Sequence, residues 1–249
     1  MSRKARKRSI DRSQKNYALD SINSKVNLEL NHIDPLTKNQ ELAFKAYPRK
    51  HLFLYGTAGT GKSFLGSYLS FKDILSFQSP YKKLIIVRSA VQTRDIGHMP
   101  GNDKEKMKHY EPPYQLIFSE LFGRGDAYEV LKKKGLIEFI STSFIRGITI
   151  SDAVILVDEC QNLTAHEMHS VITRVGKNCK IIFAGDIKQV DLNKRKELSG
   201  VSDFIKIIKK MNCFEFIHFQ PEDIVRGPLV KSYIITKEEL EERGEIAYT

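Results

Sequence analysis

With 249 residues, 41% of them apolar, the chain is long enough to bury a core, which excludes disorder throughout. A formal net charge of +10 favours a polyanionic partner and says nothing about fold. The three cysteines, Cys160, Cys179 and Cys213, are odd in number and widely spaced, which argues against a disulfide framework or a zinc knuckle and for a reducing compartment.

Residues 1–16 set seven basic side chains against Asp11, a local excess of +6, and hold almost nothing apolar. Such a tail cannot offset its ordering entropy by burial. The expectation is a segment that stays mobile until something anionic holds it, or a solubilising leader. No apolar stretch here makes a secretion signal, and no run anywhere approaches the ~20 residues of a membrane helix. A soluble, cytoplasmic protein is expected.

Six short apolar runs follow: His51 to Tyr55, Leu84 to Val87, Ile137 to Ile140, Ala153 to Val157, Lys180 to Ala184 and Phe214 to Phe219. Each is continuous and not alternating, as strands covered on both faces are. Between them the sequence predicts helices over Lys62 to Ser76 and Thr164 to Val175, the second opening with Thr164 three residues before Glu167. Strand and helix in alternation predict an α/β fold with a mostly parallel sheet and helices on both faces. Gln92 to Pro113 holds two glycines and three prolines and cannot be one uninterrupted helix.

After the first run comes Gly56-Thr57-Ala58-Gly59-Thr60-Gly61-Lys62-Ser63, then a helix-like stretch. This fits G-x-x-x-x-G-K-[ST] in its proper strand-to-helix context; the alternative is an ordinary glycine-rich turn. Glycines let successive N–H groups face an anion, and the helix N-terminus adds partial positive charge. Lys62 is placed to neutralise β- and γ-phosphates, and Ser63 to coordinate Mg²⁺. The expected nucleotide-binding residues are these eight and Phe64.

Ala153 to Val157 runs into Asp158-Glu159. Two carboxylates at the end of a buried strand need a cation or polar partner, and neighbouring side chains point different ways. Asp158 can then face the metal while Glu159 orients a water. A further strand ends in Gly185-Asp186, with Gln189 three residues on, where an amide can sense a γ-phosphate or its water; Gly-Asp is also a common turn.

The ordered series resembles the P-loop ATPase core of superfamily 1 helicases, and more closely the PhoH family. It comprises Leu36 to Gln40, the loop at 56–63, IIVRSAV at 85–91, MPGNDKEK at 99–106, FIRGIT at 144–149, VILVDECQN at 154–162, FAGDIKQVDL at 183–192 and EDIVRGPLV at 222–230. The resemblance spans roughly residues 35–231. It implies a RecA-like P-loop NTPase fold, with a basic tail at 1–24, one ATPase domain at 25–233 and a polar segment at 234–249. It also implies that Gln40 hydrogen-bonds adenine, that Lys62 and Ser63 serve phosphate and magnesium, and that Asp158 and Glu159 are the magnesium and catalytic carboxylates. Gln189 then matches the sensor, and Arg226 stands where an arginine finger would; a surface arginine in a local ion pair is the other reading. Cys160 replaces a common alanine, and Ile148 stands where the family often has a second arginine, which leaves an anion-binding role for Arg146 in doubt.

Only 23 residues follow Arg226, too few for a second core, so a finger supplied by a neighbouring subunit and a ring, plausibly a hexamer, are expected. The implied activity is Mg²⁺-dependent ATP hydrolysis on RNA or single-stranded DNA. Basic clusters suited to phosphates are Arg94, Lys104, Lys106, Lys108 and His109, then Lys132 to Lys134, then Lys194 to Lys196, although any one such run is more often a solvated face. Tyr110, Tyr114 and Phe118 could stack bases or pack in the core. The alternatives are a small-molecule kinase and an ATP-holding switch with little turnover.

Overall fold

The computed structural model describes residues 28–89, 108–186 and 199–246. Every apolar run in the sequence forms a strand: β1 His51–Gly56, β2 Lys83–Arg88, β3 Ile137–Ser141, β4 Ala153–Val157, β5 Cys179–Gly185 and β6 Phe214–Phe219. Their order in the six-stranded sheet is β3-β2-β4-β5-β1-β6. The pairings of β1 with β5, β1 with β6 and β2 with β3 are parallel. All five residues of β4 are buried, which requires cover on both faces of that strand and explains its uninterrupted apolar sequence. The α/β class with a parallel sheet is as the sequence indicates.

The helices among the described residues are α1 Lys38–Ala46, α2 Lys62–Ile74, α3 Pro112–Phe122, α4 Ala127–Lys133, α5 Ala165–Ile172, α6 Ser199–Lys210 and α7 Pro228–Glu242. Single 3₁₀ turns occupy Cys160–Asn162 and Pro221–Asp223. None of the helices is long and apolar enough to cross a membrane.

The chain divides into two compact units. The first takes Met1–Ile33, Ser67–Ile155 and Arg174–Lys180. Within it Phe71 meets Phe118 and Phe122 edge-on, at ring separations of 5.3 and 5.4 Å. Tyr114 and Phe118 are buried, so of the two roles open to them packing is the one the structure gives. Tyr110 is half-buried, with the Arg88 guanidinium 5.2 Å from its ring centre. Pro112 and Pro113 open α3, where missing N–H groups cost nothing, and Gly123 ends it in a left-handed conformation (φ 63°). Lys132 donates to the buried Glu111 at 2.6 Å, so one member of the Lys132 to Lys134 run already has an anionic partner inside the protein.

The second unit takes Asp34–Gly66, Leu156–Thr173 and Ile181–Thr249. Its core stacks Phe53 between Phe183 and Phe216, with ring centres 5.5 and 5.1 Å away. Thr164 caps α5 as its spacing predicts: its hydroxyl accepts from the Glu167 N–H while the Glu167 carboxylate accepts from the Thr164 N–H. α5 stops at Ile172, short of the predicted Val175, and Thr173 turns its hydroxyl back to the His169 and Ser170 carbonyls. α7 starts on Pro228 and ends at Glu242, with Arg243 as its C-cap and Gly244 beyond it in a left-handed conformation (φ 70°).

Candidate nucleotide-binding site

β1 delivers the chain into a loop that glycines alone can form. Gly56, Gly59 and Gly61 have φ of 109°, 74° and 82°, where a side chain is strained. A Cβ on Gly56 would also run into the Phe219 carbonyl of β6. That same carbonyl accepts the Thr57 N–H at 3.0 Å, fixing the loop's start to the neighbouring strand. The buried Thr60 closes the turn by donating its hydroxyl to the Thr57 carbonyl at 3.1 Å. Ala58 is exposed at the tip, while Phe64 is half-buried in the first turn of α2.

Lys62 folds back over this loop. Its ammonium donates to the carbonyls of Gly56 and Thr57, both at 2.7 Å. Burial pushes its pKa down, and the charges of Asp186, Glu159, Cys160 and Asp158 oppose that shift. The lysine is thus a desolvated cation held beside a set of acids.

The next residue makes the connection on which the site depends. The Ser63 hydroxyl donates to Asp158 Oδ1 at 2.7 Å, although the two are 95 positions apart. Asp158 is 4% exposed at the end of β4, so its carboxylate is committed to this corner. Both the phosphate-type loop and the acidic pair therefore belong to one site within the second unit. A hydroxyl and a carboxylate side by side are hard oxygen donors, the kind Mg²⁺ takes.

Glu159 follows in a left-handed backbone conformation (φ 50°, ψ 44°), uncommon for a residue with a Cβ. One oxygen of its carboxylate accepts from Gln161 Nε2 at 2.6 Å, and Gln161 Oε1 accepts the Asp186 N–H at 3.0 Å. Cys160 is fully buried, and its thiol is pushed well up by burial and by the neighbouring carboxylates.

Gln40 also reaches the loop. It donates from Nε2 to the Thr60 carbonyl at 3.2 Å and accepts the Leu36 N–H at 2.8 Å. The chain after β6 covers the other side. Val225 N–H donates to the Gly59 carbonyl at 3.2 Å, and a Cβ on Gly59 would lie 3.2 Å from Arg226 Cγ and 3.3 Å from Ile234 Cδ1. The stem of Arg226 thus rests on the chain's own loop. From α7, Glu238 accepts the Thr57 hydroxyl at 3.3 Å.

Sequence reasoning singled out the loop, Asp158, Glu159, Gln40 and Arg226, and the structure brings these together. It missed Gln161 and Glu238 as site neighbours, while Asp186, noted at the end of its strand, lies beside Gln161. For Gln161 the signal was its position two residues after Glu159; for Glu238 there was none, since the run Lys237 to Glu242 reads as a solvated face. Gln189 lies outside the described residues, as do residues 1–24, Arg94, Lys104, Lys106 and Lys194 to Lys196.

The family model described as "PhoH-like protein" matches residues 32–237. This chain belongs to the PhoH-like family. It is 34% identical over 185 residues to a PhoH-like protein of Bacillus subtilis (74% of this chain, 56% of the relative). It is 32% identical over 188 residues to the protein PhoH of Escherichia coli K12 (74% and 52%). The chain thus spans about half the length of the curated PhoH relatives it matches. Among solved structures, the large terminase of a thermophilic bacteriophage is 13% identical with a TM-score of 0.47, covering 80% of this chain and 50% of the terminase. The helicase domain of Pyrococcus furiosus Hef is 12% identical with a TM-score of 0.45, covering 76% and 40%. Likenesses this distant carry no residue-level correspondence. Family and loop together give this PhoH-like chain a P-loop.

Proposed function

We propose that this PhoH-like chain binds ATP with Mg²⁺ and hydrolyses it, working in the cytoplasm as an oligomer on RNA or single-stranded DNA. The observation that carries the hydrolytic reading is the Ser63 to Asp158 hydrogen bond, because it sets the loop, a metal-type donor pair and Glu159 at one place.

The N–H groups of the glycine-rich turn and the α2 N-terminus receive the phosphates. Lys62 exchanges two neutral carbonyl acceptors for anionic phosphate oxygens. Ser63 and Asp158 would hold Mg²⁺, which would supply positive charge to offset that of the phosphates. Glu159 accepts a proton from the attacking water as its oxygen bonds to the γ-phosphorus and the bond to the bridging oxygen breaks, giving ADP and phosphate. Gln40 reads the adenine, and Gln189 senses the γ-phosphate. Arg226 stabilises the developing charge as an arginine finger; its stem lies against Gly59. A carboxylate beside the metal pair favours water as the nucleophile over an alcohol acceptor.

The net charge of +10 and the exposed Lys108, His109, Lys133 and Lys134 support a polyanionic ligand held through phosphates without sequence reading. The test is phosphate release from ATP and Mg²⁺ with and without single-stranded RNA or DNA. Stimulation by the polymer is expected. Transfer of the γ-phosphate to a small acceptor, or binding without turnover, would refute the reading.

A further inference from the structure

The Gln161 amide is used at both ends, and its two partners lie on different parts of the chain, two and 25 residues away. Gln161 gives its NH₂ group to the Glu159 carboxylate at 2.6 Å and its oxygen to the Asp186 N–H at 3.0 Å. The orientation of the amide is dictated: turned over, it would set oxygen against carboxylate and NH₂ against N–H. The bond to Glu159 is short and charge-assisted.

Two features of the backbone exist to allow this bridge. Glu159 adopts φ 50°, ψ 44°, and the 3₁₀ turn Cys160–Asn162 that follows brings Gln161 back beside it. The Asn162 N–H closes that turn on the Glu159 carbonyl at 3.0 Å. On the far side stands Gly185, where a Cβ would lie 2.6 Å from both Gln161 Oε1 and Cys160 Sγ. A close approach of the amide to the end of β5 therefore needs glycine there.

We propose that Gln161 is a positioning residue: its amide fixes the direction of the Glu159 carboxylate and ties that direction to the chain leaving β5. The proposal rests on the reading of Glu159 as the group that activates water. Asp186 is also the leading charge acting on Lys62. The Asp186 N–H thus connects the end of β5 to the Glu159 carboxylate through Gln161.

The test uses the full chain with Gln161→Ala and Gln161→Glu. The second keeps an oxygen for the Asp186 N–H and puts an acceptor where Glu159 needs a donor. We expect kcat to fall by about 10- to 100-fold in both, the size of effect a misplaced reacting group gives. Affinity for a non-hydrolysable ATP analogue should stay within about twofold, the signature of an interaction that acts on the chemical step. A wild-type kcat in Gln161→Glu would mean that the Asp186 end alone matters, and would overturn the proposal. So would a loss of activity matched by an equal loss of analogue affinity or of folded protein. Glu159→Gln is measured alongside. If it hydrolyses ATP normally, the reading of Glu159 fails and the proposal with it; if it is inactive while both Gln161 variants run at wild-type rate, the proposal alone fails.

Discussion

Ser63→Ala separates a metal-holding role from a purely structural one. The Ser63 hydroxyl supplies one donor to a carboxylate that is 4% exposed. Removing a donor from a buried acceptor costs about 1–3 kcal/mol. For a chain of this size each kcal/mol moves the midpoint by roughly 2–4 °C, so the melting temperature should drop by about 2–12 °C. Hydrolysis should respond differently. With one of two hard oxygen donors gone, Ser63→Ala should need more Mg²⁺ for half-maximal activity, while Ser63→Thr, which retains a hydroxyl, should stay near wild type in both assays. Thermal melts without nucleotide and a Mg²⁺ titration of ATP hydrolysis measure the two effects. An unchanged melting temperature together with an unchanged Mg²⁺ requirement would refute the reasoning, because the bond would then be neither structural nor a marker of the metal position.

Burial lowers the Lys62 pKa, so the folded protein holds that proton less tightly than the unfolded chain. Stability should accordingly rise with pH from the lowered pKa up to the ordinary lysine range, and Lys62→Met should remove that rise; parallel slopes of unfolding free energy against alkaline pH in the two proteins would contradict it. Gly185→Ala places a methyl 2.6 Å from Cys160 Sγ and Gln161 Oε1, and denaturant titration should show a loss of about 1–3 kcal/mol from overpacking. Deleting residues 1–16 removes a local charge of +6 and should flatten the salt dependence of binding to single-stranded nucleic acid; superimposable binding curves at two salt concentrations would leave the tail as a leader.

The inner strands were legible because burial on both faces leaves a continuous apolar run, and all of β4 is such a run, whereas the edge strands β3 and β6 are only partly buried. The phosphate loop was legible because its conformation admits few sequences: three glycines at positive φ at fixed spacing before a lysine. Thr164 and Glu167 marked the start of α5 because a capping box is a local device. What escaped was set by tertiary packing. α7 has no buried residue, and Leu229 is 84% exposed, so no apolar stripe announces a helix, yet it sends Glu238 to Thr57. α3 hid behind Pro112-Pro113, which read as loop chemistry and in fact open the helix. Gln161 could be placed beside Glu159 from sequence, but its other partner, the Asp186 N–H, is 25 residues away and depends on how β5 ends against the turn after β4.

Hydrolysis at this site requires a triphosphate lying between the loop at 56–63 and the pair Asp158 and Glu159. Single-turnover hydrolysis with equilibrium ATP binding, on wild type, Lys62→Ala and Glu159→Gln, tests this most directly. Lys62→Ala should lose binding, and Glu159→Gln should bind ATP normally but turn it over about 10²- to 10⁴-fold more slowly, the usual contribution of a positioned base. Wild-type turnover in Glu159→Gln, or wild-type affinity in Lys62→Ala, would contradict it.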